Sequence, residues 1–153
     1  MTVDEFWQKF LKDSNKRPDL KYNGEFQFGE ETETICELTA LVLAGKKTAV
    51  CSSLYSFGID MMRRPEKNDY YVITDSGDNP VCVIRNTNVT VLSFNNVTWD
   101  MAVKEGDCNS IEEWRENHIE AFKDEADIMG YDFSEDMPIV FEEFEVIYKG
   151  WTN

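Results

Sequence analysis

At 153 residues, with 42% hydrophobic and 13% aromatic content, the chain is long enough for one domain with its own core and too apolar for disorder. Thirty acids against 15 bases give a formal net charge of -15, which argues against non-specific binding to long DNA or RNA, because phosphate contact depends on Lys and Arg. The charge is uneven: residues 45–85 carry six bases against five acids and residues 101–145 three against fifteen, so only the first region offers a small anionic ligand a favourable spot.

In chain order, Thr2 with Glu5 three residues on reads as a capping box, and Phe6, Phe10 and Leu11 fall on one stripe of the helix it opens, with Lys9, Lys12 and Asp13 outside. Pro18 ends that helix, and "KYNGEFQFGE" reads as a packed aromatic loop. A second helix runs from Thr32 through Ile35, Leu38, Thr39 and Val42, with Gly45 where a C-terminal glycine belongs. Residues 48–55 are predicted as a strand, and "MMRRPEKND" as a polar connection. Residues 70–74 and 81–84 follow as strands around a turn, and 89–94 as another after the polar break Asn86, Thr87, Asn88. Thr98 caps a short helix ending at Gly106. Ser110 caps a longer one, in a second capping box with Glu113, and its buried side carries Ile111, Trp114, His118 or Ile119, and Phe122. The alternating "MPIVFEEFEVIY" is the last strand. Short strands with helices at the front and between them predict one α+β domain over residues 1–153, built on a small closed β-barrel with flanking and inserted helices.

The start, MTVDEFWQKF, lacks the basic-then-apolar layout of a secretory signal, and no apolar run reaches the roughly 18 residues of a membrane span. The expectation is a soluble, cytoplasmic protein with no membrane partner. Cys36, Cys51, Cys82 and Cys108 form no CxxC pair, and His118 is the single histidine, so no metal site or other cofactor is expected.

Three local matches, in order and at fitting separations, resemble the ASCH domain, a small member of the PUA-like β-barrel group. "ELTALVLAGKKTAV" resembles the family's helix ending in a Gly-x-Lys-Thr turn. "DYYVITDSGDNPVCVIRNTNVTVLSF" is similar to its strand-turn-strand-strand stretch. "FNNVTWDMAVKEGDCNSIEEWRENH" is similar to its Phe-x-x-Val, Ala-x-x-Glu-Gly and Trp-x-x-x-His run. The likeness covers roughly residues 22–148, leaving 1–21 as an N-terminal helix packed on the barrel. The resemblance implies a cleft between the Gly-x-Lys-Thr turn and the glutamate-bearing helix. PUA-like domains commonly bind RNA or modified nucleosides, and ASCH-like proteins include a small amidohydrolase acting on acetylated cytidine and a member that degrades RNA. In the amidohydrolase pattern a lysine, a threonine three residues later and a distant glutamate form the site. By motif the lysine matches Lys47 and the glutamate Glu105, while Val50 stands at the threonine and has no hydroxyl.

Each candidate carries a second, plainer meaning. Lys47 is a turn lysine or the partner of Glu105, able to hold an oxyanion or phosphate, or to act as a base if neutral. Lys46 is its solvated neighbour. Thr48 either caps the backbone or touches a ligand. Cys51, Ser52 and Ser53 lie beside Val50, although strand alternation turns a position shifted by one to the other face. Glu105 near a helix C-terminus is mildly unfavourable against the helix dipole, a hint of a role as cleft acid or base. Trp114 and His118, four apart, share a helix face as core or as cleft edge. Phe26, Phe28, Tyr55 and Tyr70 are core rings or stacking platforms for a base. Arg63 and Arg64 are solvated or contact phosphate. The expected function is hydrolysis of an acylated or otherwise modified nucleoside by Lys47 and Glu105. The alternative is a non-catalytic module binding RNA or a nucleotide in the same cleft, the partner being a nucleoside-like ligand or short RNA.

Overall fold

The computed structural model describes residues 1–59 and 63–150. Helix α1 (Val3–Asp13) opens as its sequence directs, with Thr2 Oγ1 accepting from Glu5 N and Glu5 Oε2 from Thr2 N, both at 3.1 Å. Its buried stripe, Phe6, Phe10 and Leu11 joined by Trp7, packs on Val72 and Val83. Strand β1 (Gly24–Phe26) follows, within the stretch expected to be only a packed loop. Three residues are too few to show a period of two. Its anchor is local instead: Asn23 Oδ1 accepts from Tyr70 N at 2.7 Å, and Tyr70 O accepts from Asn23 N at 2.8 Å.

Helix α2 (Thr32–Leu43) buries Ile35, Thr39 and Val42 and leads to Gly45 at φ 76°. Strand β2 (Ala49–Ser53) is shorter than expected, because helix α3 (Leu54–Ile59) begins at once. Ser53 is the reason: its Oγ accepts from Ser56 N at 3.2 Å, as a helix N-cap does. The expected polar connection lies only partly within the described residues, since 60–62 fall outside them.

Strands β3 (Tyr70–Thr74) and β4 (Pro80–Ser93) form a hairpin, and β4 is one strand where two were expected. The polar triplet is a bulge: Asn86 faces Phe144 and Asn88 faces Glu143 on strand β5 (Pro138–Lys149), leaving Thr87 as the extra residue. Asn86 tolerates burial because its Nδ2 donates to Glu142 Oε1 at 3.0 Å and Glu66 O at 3.3 Å. Between β4 and β5, helix α4 (Trp99–Ala102) runs into a 3-10 turn, Val103–Glu105, before helix α5 (Ile111–Met129). Ser110 caps α5 as expected, but Glu113 Oε2 reaches Asn109 N at 3.1 Å, not Ser110 N.

The sheet order is β1-β3-β4-β5-β2, antiparallel except where β1 meets β3. It curls into a half-barrel with β1 and β2 as open edges, rather than closing as expected. Alternation along β2 divides its side chains. Ala49 and Cys51 pack with Phe94, Trp114 and Phe141 beneath α5, while Val50 packs with Phe28, Ile84 and Phe144 on the opposite face. Among the described residues no helix is long and apolar enough to cross a membrane.

Gly106 brings the 3-10 turn against the start of β2. It sits at φ 80°, and a Cβ there would lie 2.5 Å from Lys46 O. Gly45 has a similar φ of 76° but open space around its missing Cβ. Gly45→Ala is expected to cost about 1 kcal/mol of left-handed strain. Gly106→Ala adds a backbone clash and should cost about 2–5 kcal/mol. Urea unfolding of the two variants checks this, and equal losses would show that the close approach is relaxed without cost.

Candidate functional site

Two features meet at β2, one along its edge and one on its face. Antiparallel pairing to β5 satisfies the backbone of Val50 and Ser52 and turns Ala49 O and Cys51 N outward. Lys47 Nζ donates to Ala49 O at 3.0 Å and to Glu105 O at 3.3 Å, and it lies 3.7 Å from Glu105 Oε1. That same Oε1 accepts from Cys51 N at 3.3 Å. Lys104 O accepts from Thr48 N at 2.7 Å, one residue further back. The 3-10 turn and its ion pair thus occupy the place of a missing neighbouring strand. Lys47 and Glu105 are each only 4% exposed.

The other carboxylate oxygen of Glu105 is equally engaged. Oε2 accepts from the Trp114 indole and lies 3.1 Å from His118 Nε2. The His118 ring stacks on Trp114 with centroids 4.1 Å apart, and its Nδ1 is 2.9 Å from Trp114 O, one helical turn back. Burial pushes the Glu105 pKa up, but the His118 bond and charge, the Lys47 charge and the indole outweigh it, leaving the carboxyl below its ordinary value. Burial likewise lowers His118, but its bond to Glu105 prevails and holds the imidazole above its ordinary value. A carboxylate held ionised by four partners is a weak proton acceptor.

Cys51 offers no replacement for the absent threonine hydroxyl. Burial first, and then the Glu105 charge, push its thiol well above the ordinary range, so little thiolate is present at neutral pH.

The second feature is a cavity of about 460 Å³ on the face of the sheet away from α5, lined from all five strands. Phe26, Phe28, Tyr71 and Phe144 supply aromatic wall, and Val50 and Ser52 line it from β2. Phe28 forms the partition between the two features, with Lys47 Nζ 5.5 Å from its ring centroid. Lys47 and Glu105 are not among the lining residues.

The expected site residues therefore separate. Lys47, Glu105, Trp114 and His118 come together at the sealed edge, while Phe28 and Ser52 line the cavity with Phe26. Thr48 Oγ1 donates to Lys104 O at 3.4 Å, its capping role. Ser53 donates to Glu125, whose Oε1 also accepts from Tyr131 at 2.9 Å, and Tyr55 packs on the Tyr131 ring at 4.8 Å, away from both features. Tyr70 packs on Trp7 beneath α1. Lys46 and Arg64 are exposed. Arg63 lines the cavity, paired with Asp69 at 3.0 Å and Glu66 at 3.1 Å.

Sequence reasoning missed Glu142, Asn86, Tyr71 and Phe144 in the cavity wall. A signal for Glu142 existed: in "PIVFEEFEVIY" it shares a strand face with Val140 and Phe144, an acid inside an apolar stripe. Among the described residues no cluster of three or more His, Cys, Asp or Glu could hold a metal.

Comparison with known proteins gives the architecture a family. The crystal structure of a protein from Enterococcus faecalis is similar over 96% of this chain and 88% of its own, at 32% identity and a TM-score of 0.88. That of an ASCH domain from Lactobacillus crispatus is similar over 94% and 95%, at 29% identity and a TM-score of 0.83. A hypothetical protein, PH0355, shares the fold at 18% identity and a TM-score of 0.53, over 84% of this chain and all of its own. Among curated proteins there is no sequence match. The curled sheet with its helices is the ASCH and PUA-like fold that the motifs implied. The ASCH domain family model matches residues 24–148, and the chain belongs to that family.

Proposed function

We propose that the protein binds a nucleoside-sized, planar ligand in the cavity formed by the curled sheet, and that Lys47 and Glu105 serve as the strut behind it. The carrying observation is the cavity itself. Its roughly 460 Å³ is within the range of small-molecule sites, and it joins aromatic wall to a few polar groups. Flat rings such as Phe28 and Tyr71 favour a flat ligand, since base–aromatic stacking contributes about 1–3 kcal/mol per base. Among the described residues the charged ones lining the cavity are Glu25, Glu142 and the already paired Arg63, which favours an unphosphorylated ligand over RNA.

A second reading, hydrolysis of an acyl group from such a ligand, is favoured by one contact. Lys47 lies directly behind Phe28, and Val50, three residues on, lines the cavity where the amidohydrolase pattern has its threonine. Catalysis by this route requires the ion pair to open, because both groups are buried at the strand edge and engaged there.

Three measurements separate these roles. Ser52→Phe places a ring in the cavity, and calorimetric titration should show nucleoside affinity falling by about ten-fold or more. Unchanged affinity would move the ligand elsewhere. For the hydrolase, Val50→Thr should raise acetate release from acetylated cytidine and Lys47→Met should abolish it in protein that still unfolds cooperatively. No release by wild type or Val50→Thr rejects that reading.

The strut carries its own pH signature. Glu105, held below its usual 4.5, contributes stability present above that value and lost as pH falls through its folded value. His118, held above its usual 6.5, contributes stability present below that value and lost as pH rises through its folded value. Urea unfolding of His118→Gln should show a larger loss at about pH 6 than at about pH 9. A loss independent of pH would show that the imidazole acts only by packing.

A further inference from the structure

The floor of the cavity carries a carboxylate that the fold uses with only one of its oxygens. Glu142 lies midway along β5, opposite Val50 on one side and Val89 on the other, and is 8% exposed. Its Oε1 accepts from Asn86 Nδ2 at 3.0 Å. Among the described residues no other donor bonds the carboxyl and no cation pairs with it. The contrast with Glu105 is direct: one buried carboxylate is met by four partners, the other is left with an open oxygen at a cavity wall.

Burying an acid with a single protein donor is costly, and the oxygen that Asn86 leaves open faces the cavity, where a ligand's donor can displace water. Burial pushes Glu142 up to about 6, with Asn86 opposing and Asp69 adding to the shift. At neutral pH most of the population therefore still presents a carboxylate. Among the described residues the cation lining the cavity is Arg63, and it is engaged by Asp69 and Glu66. Nor does Asn86 spare a donor, since its Nδ2 is shared between Glu142 and Glu66 O. What the floor offers is acceptor capacity, between rings such as Phe28, Tyr71 and Phe144.

We infer that Glu142, held in place by Asn86, is a specificity-determining residue that accepts an N–H from an amino-bearing, unphosphorylated planar nitrogen heterocycle in the cavity. This rests on the reading of the cavity as a nucleoside-type site and names which edge of the ring that site selects. A ligand lacking the N–H leaves the carboxylate desolvated and unpaired, the condition under which polar sites discriminate most strongly. A phosphate on the ligand would meet the negative charges of Glu142 and Glu25, and among the described residues the one cation at the wall, Arg63, is already paired.

The test uses wild type and Glu142→Gln. Gln keeps the acceptor for Asn86 while turning a donor toward the cavity. The probes are cytidine, cytidine dimethylated at its exocyclic amine, uridine, and 2-aminopyrimidine as a fragment without ribose, each followed by calorimetric titration. Wild type should bind cytidine and 2-aminopyrimidine about ten-fold tighter than the dimethylated ligand. In Glu142→Gln the ratio of cytidine to uridine affinity should fall by about ten-fold, because uridine's carbonyl accepts where cytidine's amine donates. A ratio is insensitive to partial unfolding, which scales both affinities together. Nucleosides that bind with an unchanged ratio overturn the role of Glu142 and leave the nucleoside site standing. Binding of 2-aminopyrimidine through Glu142 without any nucleoside binding supports the amine-reading floor and overturns the nucleoside reading. No binding of any probe overturns both.

Discussion

The open edge of β2 is the constraint on which the arrangement depends. A sheet that does not close leaves a row of outward N–H and C=O groups, and buried backbone must find partners. Here the partners are a lysine from the turn before the strand and a glutamate from the turn before α5, both almost wholly buried. Taking two charges out of water is expensive, and such a pair adds little net stability over apolar packing. Its value lies in direction. An ammonium that donates and a carboxylate that accepts match an outward C=O and an outward N–H, which two apolar side chains could not do. Gly106 permits the approach, and Trp114 and His118 tie the carboxylate to α5.

Two faces then follow from one strand. With the edge sealed, Ala49 and Cys51 complete the core under α5, and Val50 and Ser52 are left to line the cavity. The chain holds two buried glutamates of opposite character within this framework. Glu105 is saturated and held below its ordinary pKa, while Glu142 is raised to about 6 and has one protein donor. A fully bonded carboxylate suits a strut, and an underbonded one suits recognition. The lysine and glutamate that the family motifs single out are here bound into the edge, and the buried polar pair at the cavity wall, Asn86 and Glu142, comes from β4 and β5.

Much of this was legible in the sequence, for reasons that differ by element. Capping chemistry is local, so Thr2, Thr98 and Ser110 announced their helices correctly. The Lys47–Glu105 contact spans 58 residues and became visible only through ordered motifs. What stayed hidden depends on long-range pairing. The bulge at Thr87 resembled a strand end because polar residues interrupt the pattern, yet Asn86 is buried through contacts to Glu66 and Glu142 that local sequence does not reveal. Strand β1 is too short to carry a period. Closure of the barrel was expected from the number of short strands, but whether the outer strands meet is decided by what covers their edges. Glu142 is an acid on the apolar side of an alternating strand, and the adjacent Glu143 masks that signal by making the pair resemble a solvated run.

The proposed ligand site is the cavity, with the buried ion pair standing behind it. Titration of isotope-labelled protein with cytidine, followed by amide and indole resonances, tests this most directly. Shifts are expected to concentrate at Val50, Ser52, Tyr71 and Phe144, with the Trp114 indole N–H, locked on Glu105, unmoved. A Trp114 indole shift larger than those of the cavity residues would contradict it and place the ligand at the Lys47–Glu105 pair.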